Sequence, residues 1–200
     1  MALITAPQAR LALPALTGTV EDTTLGTIID AISRAFARHC GYPPASVGGN
    51  PTMESATYTL YLTGDGSRKL HLPVHPATAI TSIEDDETLD FDGSTYLVSS
   101  GDYNLREGRY VLLTATSTHG AWSAVEGAIK IVYAAGFSTV PDDLALAARF
   151  AVKHWYELTR VQGKSSASMG ETSESFRDET FLPPHVLKLL APFRLGRAYL

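Results

Sequence analysis

The sequence predicts an α+β fold in which a helical core, two long helices plus a C-terminal helix, carries an inserted antiparallel β region. Apolar residues recur at helical spacing over residues 22–40 and again over 141–161, which is the pattern of a helix with one buried face. Between these helices the chain changes to short β-branched and aromatic runs separated by Gly and Asp, which is typical of short strands. These changes divide the chain into four segments: an extended N-terminal arm (1–21), a central domain (22–162), a flexible polar loop (163–182) and a C-terminal helix and tail (183–200).

Composition limits the class of protein. The 200 residues are 44% hydrophobic and 18% charged, which is enough apolar material for a core and too little charge for a disordered chain. A net charge of -5 argues against a general nucleic-acid-binding protein, because phosphate contacts need clustered cations. With Cys40 as the one cysteine, no intramolecular disulfide is expected, which fits a reducing cytosol. No run approaches the roughly 18 apolar residues of a membrane span, and residues 1–9 lack the positive start of a secretory signal.

The arm and the first long helix follow from turn residues and periodicity. Prolines and a glycine interrupt residues 1–21, so we expect an extended arm without a core of its own. Gly41 can adopt the left-handed conformation that ends a helix, and a Pro-Pro pair at 43–44 prevents its continuation. The first long helix buries one apolar stripe, formed by Leu25, Ile28, Ile29, Ile32 and Phe36.

The β region is predicted to hold five or six antiparallel strands. Residues 58–62 and the alternating residues of 68–74 flank a turn at Gly64 to Ser67, which predicts a hairpin. Further short strands are predicted at 79–84, 95–99, 110–115 and 128–133.

The second long helix and the segments after it complete the predicted architecture. Pro141 suits a first helical turn, and Asp142 and Asp143 oppose the positive end of the helix dipole. The polar residues that follow, 163–180, form a loop longer than most, and such loops are usually functional or flexible. Helical spacing returns over 183–195.

No motif for catalysis or metal binding stands out. The stretch from Gly64 to Lys69 is superficially similar to a phosphate loop, but such a loop needs a helix after it, and a strand is predicted here. His71 and His75 have no third ligand at metal-binding spacing. The acids of 84–92 do not match a calcium loop, so we expect a solvated hairpin tip. We therefore predict a protein that is not an enzyme and takes no cofactor or metal ion.

Several short motifs occur in an order that resembles one known family. The first helix ends in HCGY (39–42), the β region contains LHLPVHP and AITSI, and VYAAGF and VPDDL precede the second long helix. LLAPFR follows near the C-terminus. Over about residues 22–195 the chain resembles the head–tail connector, or adaptor, family of tailed bacteriophages and gene-transfer agents.

The resemblance implies a structural subunit of a dodecameric ring in the neck of a phage or phage-like particle, assembled in the bacterial cytoplasm without membrane contact. The ring would contact the portal protein and a stopper or tail-completion protein, and DNA would pass through its centre without sequence-specific binding. Docking onto the portal would fall on residues 186–200, where Arg and aromatic side chains are typical interface anchors. The candidate portal-binding residues are Leu187, Leu190, Phe193, Arg194, Arg197, Tyr199 and Leu200, and the candidates for subunit–subunit contact are Met169, Phe176 and Phe181.

Two other functions stay open at this point. A tail-completion or stopper protein would belong to the same structural class and differ only in its partners. A small ligand-binding or metal-binding α+β domain would belong to another class, supported by the acids of 84–92 and the pair His71 and His75. A deep pocket with converging polar groups would favour that reading.

Overall fold

The computed structural model describes residues 2–14, 16, 21–92, 95–161, 166–169, 172–175 and 182–196, without the side chains of 160–161, 166–169 and 172–175. The chain divides into two compact units. The helical unit comprises residues 1–36 and 140–194, and the β unit comprises 37–139 and 195–200. The predicted α+β class is confirmed by the elements, which in chain order are α1 (Ala6–Arg10), α2 (Asp22–Cys40), β1 (Ala56–Leu62), β2 (Lys69–His71), β3 (Ala77–Asp85), β4 (Tyr103–Arg106), β5 (Tyr110–Leu113), β6 (Ile129–Ala135), α3 (Asp142–Val161), β7 (Ser166–Met169), β8 (Thr172–Ser175) and α4 (Pro184–Leu190).

The N-terminal segment differs from the extended arm expected from its prolines. It forms the short helix α1, which a capping box closes: the Thr5 hydroxyl accepts from the Gln8 amide, and the Gln8 side chain accepts from the Thr5 amide. The Leu3 amide donates to the Ser33 hydroxyl of α2 at 3.1 Å. Four apolar side chains of this segment are buried, those of Leu3, Ile4, Ala9 and Leu13. The segment is therefore part of the helical core, because burial of these side chains offsets the entropy of ordering it.

In the helical unit, α4 packs against α3. The α3 face toward the core is rich in small side chains, and Ala147 and Ala151 are fully buried. Small residues allow a second helix to approach closely, and α4 contributes Val186 and Leu190, both 0% exposed. The helix α4 ends at Leu190, and a 3-10 turn at Ala191–Phe193 replaces the remainder of the predicted helix over 183–195.

The β unit contains two three-stranded antiparallel sheets, with strand orders β1-β6-β3 and β2-β5-β4. The predicted hairpin over 58–74 is therefore wrong, because β1 pairs with β6 and β2 pairs with β5. The segment between β1 and β2 bonds elsewhere: the Gly64 amide donates to the Ser123 carbonyl, and the Ser67 carbonyl accepts from the Trp122 amide. Trp122 itself is 1% exposed. The linker thus wraps a buried tryptophan and separates the two strands into different sheets.

Two other strand predictions need correction. Residues 95–99 form no strand, and only an isolated bridge joins Leu97 to Glu84. A strand that was not predicted, β4, runs over Tyr103–Arg106 and pairs with β5. Within the polar loop, β7 and β8 pair with each other, and the rest of 163–181 lies outside the described residues.

Candidate functional site

The C-terminal segment contains both core and surface residues. Leu190 is fully buried in the helical unit, so its side chain is not available to a partner in this conformation. Leu187 and Phe193 are half-buried, and Arg194 is exposed. The other predicted portal-binding residues, Arg197, Tyr199 and Leu200, lie outside the described residues, as do Phe176, Phe181 and the side chain of Met169. Of the predicted portal-binding residues that the structure describes, three therefore lie at the surface: Leu187, Phe193 and Arg194.

An apolar patch on the helical unit was not predicted from the sequence. Leu146 and Phe150 are one turn apart on α3 and are 36% and 39% exposed. The Phe150 ring meets the His185 ring of α4 edge-on, with 5.7 Å between ring centroids. Both apolar residues lie outside the buried stripe of α3, and this is the sequence signal that could have identified them. Exposed aromatic and aliphatic side chains of this kind are typical of contact surfaces.

The prediction of a solvated hairpin tip over 84–92 is wrong for the three acids at the end of β3, which are buried, whereas Glu87, Asp90 and Asp92 are exposed. Glu84, Asp85 and Asp86 are 5%, 8% and 0% exposed. Glu84 pairs with the Lys130 ammonium at 3.0 Å. Asp85 pairs with His119 Nε2 at 2.6 Å. These carboxylates fix the neighbouring strand and loops, because a buried charge needs a partner.

Asp86 organises the loop that follows β3. Its carboxylate accepts hydrogen bonds from the Thr88 amide and hydroxyl and from the amides of Asp90 and Phe91. Burial acts to raise the Asp86 pKa, but these hydrogen bonds outweigh burial and hold the pKa below its usual value. They also hold Leu89 and Phe91 at positive φ. The Phe91 ring is thereby set against Tyr61 of β1, with 5.1 Å between ring centroids.

Several basic side chains lie on or beside the outward face of the sheet β2-β5-β4. His71, Tyr110 and Arg106 are cross-strand neighbours. The Lys69 ammonium lies 4.1 Å from the centre of the Tyr110 ring. His71, Arg106 and Arg109 are exposed. Lys69, Arg106 and Arg109 therefore place three cations on or beside this sheet, and the turn that contains Arg109 also exposes Glu107.

The described residues contain no group of three His, Cys, Asp or Glu side chains arranged to hold a metal ion. Among the helices within the described ranges, none is long and apolar enough to cross a membrane. A groove of about 400 Å³ lies between the end of β1 and β2, and Tyr61, Asp65, Lys69 and His71 are among its lining residues.

Comparison with known proteins gives a family and a fold. The sequence matches the head completion protein family over residues 3–195. A chain from the virion of a native gene transfer agent particle has a TM-score of 0.57 at 20% identity, covering 98% of this chain and 91% of that chain. A chain from the neck of an empty gene transfer agent particle, computed with C6 symmetry, has a TM-score of 0.57 at 19% identity, with coverage of 98% and 91%. A search of curated proteins found no match.

The family match takes in residues of both units and nearly the whole chain. The resemblance drawn from the order of the sequence motifs is confirmed, and the chain belongs to the head completion protein family.

Proposed function

We propose that the chain is a head–tail connector subunit, which forms a ring between the portal and the tail of a phage or gene-transfer-agent particle. The match to the head completion protein family over residues 3–195 carries this proposal. The fold shared with chains of a gene transfer agent virion and neck supports a position in the neck. The proposal assigns the chain no catalytic step.

A ring needs a heterologous interface, in which two different faces of the subunit meet and the rotation closes. Both units expose apolar side chains that a neighbouring copy can cover: Leu146 and Phe150 on the helical unit, and Tyr61 and Leu97 on the β unit. We propose twelve copies, as the family resemblance implies.

DNA passes through the ring in this proposal without sequence-specific binding. The net charge of -5 favours weak contact with phosphates over most of the surface. The basic side chains on or beside the outward face of β2-β5-β4 are the exception, and they suit brief, exchangeable phosphate contacts of the kind that let proteins slide along DNA.

Docking onto the portal is proposed for the C-terminal segment. Phe193 and Arg194 provide an aromatic and a guanidinium group on the surface, and residues 197–200 add Arg197, Tyr199 and Leu200 from the sequence. These residue types dominate interface energetics. Leu190 anchors the segment to the helical core and supports docking indirectly.

The test must separate docking from folding. Deletion from residue 186 onward would remove Val186 and Leu190 from the core, and the loss of even one such side chain costs about 2–5 kcal/mol. We therefore choose the deletion of residues 197–200 and the surface variant Arg194→Glu. The matched control is Lys153→Glu, which reverses an exposed charge on α3.

Each variant is mixed with portal protein, and complex formation is measured by co-sedimentation, with circular dichroism as the check on folding. We expect the first two variants to lose portal binding and the control to retain it. Normal binding by both would contradict the C-terminal assignment. Cross-linking in assembled particles then separates an adaptor from a stopper, because an adaptor cross-links to the portal and a stopper cross-links only to other neck proteins.

A further inference from the structure

Strand β1 lies at one edge of the sheet β1-β6-β3. It pairs with β6 over seven residues without a register shift, and no strand among the described residues pairs with its other side. Its sequence, ATYTLYL, is β-branched, aromatic and uncharged. Thr57, Thr59 and Tyr61 are exposed along it. An edge of this kind offers unpaired amides and carbonyls to another chain.

The opposite edge of the same sheet is protected. Strand β3 has register shifts between Ala77 and Ala79 and between Ile80 and Ser82. Near its end a bridge joins Glu84 to Leu97, and the Val98 amide donates to the Ile83 carbonyl. Bulges and covering loops are devices by which proteins block edge pairing. One sheet therefore has one blocked edge and one edge free to accept a strand.

The β7–β8 hairpin is a two-stranded sheet. Its strands have four residues each and pair with each other, and no third strand within the described ranges extends them. An isolated two-stranded hairpin is at best marginally stable in water. Addition to a sheet edge would stabilise it through a further row of backbone hydrogen bonds.

We propose that the β7–β8 hairpin of one copy adds to the free edge of β1 in a neighbouring copy, which extends the sheet β1-β6-β3 across the subunit boundary. This inference rests on the proposed ring and names the contact that closes it. A strand of seven residues presents about three outward amide–carbonyl pairs on one edge, because alternate residues face outward. The contact is thus carried by the backbone and tolerates variation in the side chains of the polar loop.

The first experiment compares the two edges of one sheet. Thr59→Lys places a charge on the free edge strand β1, and Thr81→Lys places the same charge on the blocked edge strand β3, where Thr81 is also exposed. A third variant replaces residues 166–175 with a Gly-Ser linker. Ring formation is measured by native mass spectrometry, with the portal present as a template. We expect Thr59→Lys and the linker variant to lower ring yield by about 10-fold or more, because a lysine on an edge strand blocks pairing, and Thr81→Lys to match the unmodified chain.

The second experiment measures hydrogen exchange of the β1 amides in the free subunit and in the assembled ring. We expect the outward-facing β1 amides, which do not bond to β6, to exchange at least about 10-fold more slowly in the ring, and this protection to disappear in the linker variant. The inference would be overturned if the β1 amides exchange as fast in the ring as in the free subunit. It would also be overturned if the linker variant forms rings in which these amides stay protected. In both cases the proposed function stands. If the chain forms no ring and is absent from particles, the proposed function itself fails. Protection already present in the free subunit would assign the edge to a segment of the same chain and overturn the contact between copies.

Discussion

Replacement of Gly136 by alanine tests why the VYAAGF motif needs its glycine. Gly136 follows β6 with φ of 104°, and its amide donates to the Pro76 carbonyl at 2.9 Å. A Cβ at this position would lie 2.3 Å from the Glu54 carbonyl oxygen and 2.9 Å from the Met53 carbonyl oxygen. Both contacts are with backbone atoms, so rotation of a side chain cannot relieve them.

The loss of unfolding free energy expected for Gly136→Ala has two parts. The left-handed conformation costs an alanine about 1–2 kcal/mol. The clash adds to this cost, because neighbouring hydrogen bonds hold the strand ends: the Phe137 amide donates to the Met53 carbonyl at 2.9 Å, and the Ser55 amide donates to the Phe137 carbonyl at 3.1 Å. We expect Gly136→Ala to lower the free energy of unfolding by about 3–4 kcal/mol, which is near the upper end for single substitutions.

Two matched variants separate the cost of the backbone conformation from the cost of the steric clash. Gly127 also has positive φ, 71°, but a Cβ there meets no atom within 4 Å, so Gly127→Ala is expected to cost only the conformational part, about 1–2 kcal/mol. Gly26 lies in α2 with open space around it, so Gly26→Ala is expected to stabilise the chain by about 0.5–1 kcal/mol. The same chemical change thus gives three different outcomes at three positions.

The assay is urea unfolding followed by tryptophan fluorescence in a Trp155→Phe background, so that buried Trp122 reports on the β unit. Circular dichroism at a helical wavelength follows α2. Equal destabilisation by Gly136→Ala and Gly127→Ala would refute the steric argument. Destabilisation by Gly26→Ala would show that helix propensity does not control that position.

Five further substitutions, in three tests, examine the packing and the buried charges. Asp86→Asn should lower the free energy of unfolding of the β unit at neutral pH. The folded-state pKa of Asp86 is depressed, so the stabilisation from its carboxylate is lost as the pH falls below the usual titration range of Asp. The difference in unfolding free energy between the variant and the unmodified chain should therefore shrink as the pH is lowered. Leu190→Ala should cost about 2–5 kcal/mol in urea unfolding, whereas Phe193→Ala, at a half-buried surface position, should cost less and act on portal binding. Lys130→Met leaves the Glu84 carboxylate buried without its partner at 3.0 Å and should lower the free energy of unfolding by about 3 kcal/mol. Adding Glu84→Gln should recover part of this loss in the same urea unfolding assay.

The helices show what periodicity can establish. The range predicted for the first long helix, 22–40, matches α2 at Asp22–Cys40, and the range 141–161 differs from α3 by one residue. Helical spacing is a local property, because residues three and four apart lie on one face whatever the rest of the chain does. The order of motifs likewise identified the family, since it depends only on sequence.

Strand partners and buried charges were not predictable in this way. The Gly64 to Ser67 turn has the composition of a hairpin, yet Trp122, distant in sequence, bonds to this segment and directs β1 and β2 to different sheets. The acids after Ile83 have the composition of an exposed tip, yet Lys130 and His119 bring partners from elsewhere in the chain.

The fold class, the long helices and the family could be read from the amino-acid sequence, because each is encoded in local spacing or in the order of motifs. The pairing of the strands and the burial of the acids at the end of β3 could be read only from the fold. Hydrogen bonds between strands and the desolvation of charges depend on groups far apart in sequence, and only the folded chain brings those groups together.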